Sequence, residues 1–159
     1  MLNNKIELYN CYSPSAAVRH AAWSKILSVI KIINTNEHKT IVYIDTDCIF
    51  YNQEKTIADY LSESISIDKN PLKKNKYIYI INNKPWSYSL PCTGFFILES
   101  NSKTHSIFKN WYQNDIYKEY NVEHTFEQHS FQNYILPKYL NNIETLDDWM
   151  FEQKKMTSF

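Results

Sequence analysis

A single α/β domain over residues 1–159, with a central, mostly parallel sheet flanked by helices, is the fold the sequence predicts. Two observations predict it. Helix-period and strand-period stretches alternate along the chain, and the strand pattern "TIVYI" is apolar on both faces, as in a sheet covered on both sides. The chain also shows no internal repeat, low-complexity linker or shift of composition that would mark a second domain.

Each element has its own signal. "YSPSAAVRHAAWSKILSVIKII" predicts a helix capped by Ser13, with Pro14 in its first turn and an apolar stripe of Ala17, Ala21, Ile26, Ile30 and Ile33. "NTNEHK" is a polar break before the β-branched strand "TIVYI". "TIADYLSES" reads as a short helix and "IDKNPLKKNK" as a loop whose charges face water. "YIYII" is the next strand, with a turn at "NNKPWS", and "FFIL" after Thr93-Gly94 is the third. "SNSKTHSIFKNWYQNDIY" predicts a capped helix burying Ile107, Phe108 and Trp111. "FEQHSFQNYIL" is a helix ended by Pro137, and "NIETL" a last strand.

Composition narrows the partners. Seventeen basic side chains balance seventeen acidic ones, which removes any global attraction to nucleic acid or an anionic membrane. Three cysteines without CxxC spacing suggest neither a disulfide framework nor a zinc site. The opening "MLNNKIELYN" lacks the pattern of a signal peptide, and no apolar run approaches the ~20 residues that span a bilayer. A reduced, soluble, cytoplasmic protein is expected.

The stretch "IVYIDTDCIF" concentrates the chemistry. Asp45 and Asp47, with Thr46 between them, follow an oily strand and precede Cys48-Ile49-Phe50. Two carboxylates one residue apart on extended chain point to the same side. At the carboxyl end of an α/β strand, hard oxygen ligands of this kind suit Mg²⁺ or Mn²⁺ bridging to phosphates. The plainer alternative is that aspartates follow strands because they favour turns. A strand-end Asp-x-Asp also serves one class of Mg-dependent phosphatases, for which Asp147-Asp148 offers a later acidic pair. Against that class, Cys48-Ile49 stands where a small turn-former and Thr or Val are wanted.

Three further segments, "AAWSKILSVIKII", "PCTGFFILESNSKTHSIFKNW" and "FEQHSFQNYIL", bracket the acidic strand. In that order the chain resembles GT-A-type nucleotide-sugar glycosyltransferases. The likeness is to the family of fungal α-galactosyl- and α-mannosyltransferases and plant xylosyltransferases, with relatives in large DNA viruses, and it runs from about Arg19 to Leu136. The resemblance implies a GT-A-like domain, shortened at the N-terminus, that moves a sugar from a UDP- or GDP-sugar to a glycan, protein or lipid hydroxyl. It implies Mn²⁺ (or Mg²⁺) held by Asp45 and Asp47, a donor site including Thr46, and Trp23 and Lys25 backing that site. Gly94 would lie on the sugar-side strand, and Glu127 and Gln128 beside the reacting sugar. A viral chain of this kind would work in host cytoplasm, alone or as a homo-oligomer.

Each residue also has a plainer reading. Arg19, one helical turn before Trp23, is within reach of a diphosphate or is simply a surface arginine. Gly94, the chain's single glycine, answers to close ligand approach or to a β-bulge. Glu127 at a helix start is good dipole chemistry in its own right. The chain departs from the family in three places: Cys92 replaces an Asn two before the glycine, no histidine follows Pro137, and "KIELYNCY" is a poor nucleotide-cradling strand. Those departures favour the alternative of a catalytically degenerate, glycosyltransferase-like binding protein.

Overall fold

The computed structural model describes residues 20–46, 54, 56, 57, 59, 75–82, 90–113 and 126–146. Ser13, Pro14, Ala17, Arg19, Asp47, the "NNKPWS" turn beyond Asn82 and Asp147-Asp148 lie outside the described residues.

The first helix does not run unbroken through His20. That residue is extended (φ −56°, ψ 150°), and its ring nitrogen accepts a hydrogen bond from the Ala22 N–H, so it caps a 3₁₀ turn at Ala21–Trp23. Helix α1 (Ser24–Thr35) follows and closes on Asn36 in the left-handed region, whose N–H returns to the Ile33 carbonyl. The tighter 3₁₀ turn offsets the predicted stripe. Ala21 is exposed, and the buried face carries Trp23, Ile26, Val29 and Ile33, with Lys25 among them.

Strands β1 (Thr40–Ile44), β2 (Ile78–Asn82), β3 (Pro91–Glu99) and β4 (Ile143–Leu146) form a mixed sheet in the order β1-β3-β2-β4. The expected mostly parallel sheet is thus corrected among the described strands. β3 is antiparallel to both β1 and β2, and β2–β4 is the parallel pair. Two apolar faces report that both sides of a sheet are covered; they say nothing of which way its neighbours run.

Both sides are covered. Phe96 and Leu98 of β3, with Ile41, Ile78 and Ile80, join the cluster built on α1 and on α2 (Ser102–Gln113). The alternate residues Phe95 and Ile97 join Ile81 and Leu146 on the opposite face. Asn101 caps α2, its side-chain oxygen accepting the Thr104 N–H at 2.9 Å. Thr56 and Asp59, in the segment read as a short helix, exchange the hydrogen bonds of a capping box.

The last helical stretch is α3 (Phe126–Ser130), a π turn at Phe131–Ile135, and α4 (Leu136–Lys138). It passes Pro137 by one residue instead of ending there: proline's fixed φ suits a helix, and what it removes is one N–H. Lys76, read as a solvated loop charge, instead donates to the Leu140 and Ile143 carbonyls at 2.7 and 2.6 Å and pairs with Glu144. It ties the start of β2 to the approach to β4. Among the described residues no helix is long and apolar enough to cross a membrane.

Candidate functional site

The register of β3 creates the site. Ile80 pairs with Phe96, yet the next residue, Ile81, pairs with Cys92. Thr93, Gly94 and Phe95 therefore bulge away from β2, which frees backbone groups that a regular ladder would consume. On the other side β1 keeps its register to Phe95, and the Asp45 N–H extends it by donating to the Gly94 carbonyl at 2.7 Å.

Lys25 of α1 lies over this bulge, 7% exposed. Its ammonium pairs with Glu127 Oε1 at 2.9 Å and Asp45 Oδ2 at 3.3 Å, and donates to the Thr93 carbonyl at 3.4 Å. The Tyr43 ring lies 5.1 Å from Nζ, and the Tyr43 hydroxyl donates to the other Asp45 oxygen, Oδ1. Burial disfavours the lysine charge, but Glu127 and then Asp45 outweigh it and raise the Lys25 pKa above the ordinary lysine value. Lysine has three N–H donors, and here all three are engaged. Lys25 as placed orders the two carboxylates and has no donor left for a phosphate.

Glu127, 4% exposed, receives both Lys25 and the Thr93 hydroxyl on Oε1, the latter at 3.0 Å. Gln128 Oε1 accepts the Thr93 N–H at 3.1 Å. The helix carrying them is fastened twice. Trp111 Nε1 donates to Ser130 Oγ at 2.7 Å, and Gln132 Nε2 donates to the Pro91 carbonyl at 2.7 Å. Among the described residues, Lys25, Asp45, Gly94, Phe126, Glu127 and Gln128 line an open pocket of about 260 Å³, with Ala22, Cys92 and Thr93 beside them. Phe126 adopts φ 33° at its rim and stacks on His20 with centroids 3.6 Å apart.

The structure thus gathers Lys25, Asp45, Gly94, Glu127 and Gln128 from separated segments. Trp23 is instead a core residue, 1% exposed, edge-on to Tyr112, and Thr46 is exposed in the turn after Asp45. Gly94 has a specific neighbour: a Cβ there would stand 3.0 Å from Asp45 Oδ2. The chain's own carboxylate makes the close approach, and the bulge reading of this glycine describes the same place. Two participants escaped sequence reasoning. Tyr43 was findable, two residues before Asp45 on the same strand face; Thr93 had no signal beyond its place beside Gly94.

No family model matches the chain, and neither does any curated protein. Four chains among solved structures do match. One is the crystal structure of a glycosyltransferase involved in the glycosylation of the major capsid of PBCV-1, at 13% identity and a TM-score of 0.61 over 90% of this chain. The chain spans 65% of that structure's length. At this identity the likeness is one of architecture: an α/β chain with a fold like that of a glycosyltransferase.

Proposed function

We propose that this chain transfers a sugar from a nucleoside-diphosphate donor, a UDP- or GDP-sugar, to an acceptor hydroxyl on a glycan, protein or lipid. One observation carries the reading: a Lys25–Asp45–Glu127 cluster, buried at Lys25 and Glu127 and part-exposed at Asp45, that lines a pocket on a glycosyltransferase-like architecture. A buried carboxylate beside a primary amide is suited to a sugar, whose hydroxyls both donate and accept. Glu127 would stabilise positive character at the anomeric carbon as the bond to the diphosphate breaks. Asp45, with one oxygen held by Tyr43 and the other by Lys25, is a fixed acceptor at the pocket edge.

Metal use belongs to the same proposal. Among the described residues no group of three His, Cys, Asp or Glu is placed to hold an ion. Asp45 is the described member of the Asp-x-Asp pair, and its hard oxygens suit Mg²⁺ or Mn²⁺. In this reading Asp47 would hold the ion together with Asp45, the latter directly or through water, and the ion would bind the donor's diphosphate oxygens. When bound, the ion would offset charge on the departing diphosphate.

The test is release of UDP or GDP from UDP-glucose, UDP-galactose, UDP-xylose and GDP-mannose in the presence of Mn²⁺. Turnover of at least one donor is expected, with Asp47→Ala losing metal-dependent binding while keeping its fold. No binding and no turnover across the panel would remove the proposal. A second reading, a binding protein without catalysis, is favoured by the internal bonds already on both Asp45 oxygens; donor binding without turnover would select it. Phosphate release from an aryl phosphate would point instead to a phosphatase.

A further inference from the structure

Thr93 touches the cluster through three of its own groups. Its carbonyl accepts from Lys25 at 3.4 Å, its N–H donates to Gln128 Oε1 at 3.1 Å, and its hydroxyl donates to Glu127 Oε1 at 3.0 Å. The residue is 1% exposed and its bonds to Lys25 and Glu127 are buried, so neither of those has water as a ready substitute. The β3 bulge releases the backbone pair, and the hydroxyl is a choice of residue.

These contacts fix which atoms remain for a ligand. A backbone N–H can only donate, so the Gln128 atom facing it is the carbonyl oxygen and the amide nitrogen is left over. Lys25 and Thr93 both take Oε1 of Glu127, so the other carboxylate oxygen is left over. Among the described residues no hydrogen bond goes to Glu127 Oε2 or comes from Gln128 Nε2, although both side chains line the pocket. One is an acceptor and the other a donor, from adjacent residues of one helix.

We propose that Thr93 is a positioning residue: its hydroxyl and backbone lock Glu127 and Gln128 in one orientation, leaving Glu127 Oε2 to accept from the sugar and Gln128 Nε2 to donate to it. This rests on the glycosyl-transfer reading for its substrate, not for its geometry. A carboxylate that loses its Thr93 donor keeps Lys25 on one side only and can turn about that contact. Reacting groups displaced by about an ångström can cost on the order of a hundredfold in rate.

Thr93→Val removes the hydroxyl, keeps the shape and leaves both backbone bonds; Thr93→Ser keeps the hydroxyl. With the donor that the parent hydrolyses best, Thr93→Val should lower kcat about tenfold or more with KM within about twofold. Thr93→Ser should stay within about twofold of the parent on both. Equal kcat in Val and parent, or Ser as poor as Val, overturns the proposal. If Val does not fold, Ala against Ser makes the same comparison. Crystal structures of the variants read the geometry without activity: Glu127 should depart from its parent position in Val and superimpose in Ser, while Gln128, held by the Thr93 N–H, stays in place in both. An unmoved Glu127 in Val overturns the positioning role. A parent inactive on every donor overturns the transfer reading, and the two failures remain distinguishable.

Discussion

Lys25 is one ammonium serving two carboxylates and a carbonyl, and removing it strands Glu127 in a dry place. Lys25→Met should therefore cost about 3–5 kcal/mol in urea unfolding, the usual penalty for half of a buried ion pair. Adding Glu127→Leu to it should recover much of that loss, because apolar replacement of both partners is close to neutral. The pH dependence has a definite sign. The folded-state pKa of Lys25 is raised, so its contribution is full below the ordinary lysine range and is lost as pH climbs through the raised value. The stability gap between parent and Lys25→Met should hold constant from pH 7 to 9 and narrow above about pH 10; a gap unchanged at pH 11 would contradict it. Gly94 is the second sensitive residue. In Gly94→Ala the new methyl meets Asp45 Oδ2, which cannot retreat without loosening its Lys25 contact. A loss of about 1–3 kcal/mol is expected, with donor binding weakened in the same variant by calorimetry.

At the scale of elements, the Asn101 cap acts on the fold: Asn101→Ala should lower stability by about 1 kcal/mol while donor affinity stays at the parent value, because α2 contributes no residue to the pocket and fastens α3 through Trp111, about three turns from the cap. The described elements were legible in the sequence because their signals are local. Periodicity marked α1 and α2, β-branched runs marked β1 and β2, and the polar Ser100-Asn101-Ser102 run marked a capped start to α2 without saying which residue caps it. The site was legible in part: Asp45 and the Glu127-Gln128 pair stand at the ends of elements, and Gly94, inside β3, stands out as the chain's single glycine. Its wiring was not. That Lys25 meets Asp45 twenty positions on, and Glu127 across the sheet, depends on where α1 crosses β3. Strand direction and the slip between Ile80 and Ile81 are cross-strand facts that no single strand encodes. The extended residue His20 was missed because Ala-rich flanks masked a local cap.

At the scale of the whole molecule, the pocket is assembled from α1, the end of β1, the β3 bulge and α3, so it exists only while the entire sheet-and-helix core is folded. A ligand bound there must therefore stabilise the global fold by mass action. At a concentration a hundred times its Kd the gain is about 2.7 kcal/mol. For a chain of this size that corresponds to a melting shift of about 5–10 °C. Donor sugar nucleotide with Mn²⁺ should produce such a shift, Mn²⁺ alone much less, and nucleotide with EDTA should fall back toward the unliganded value. The EDTA arm carries the decision about the ion. If the shift survives chelation undiminished, binding needs no dication. The positive charge nearest Asp45 is then the Lys25 ammonium, already 3.3 Å from its carboxylate, and Asp47→Ala would be as stable to heat with donor as the parent. If the shift collapses with EDTA and collapses equally in Asp47→Ala, the acidic pair holds the metal. Lys25 is then confined to ordering Asp45 and Glu127 behind it.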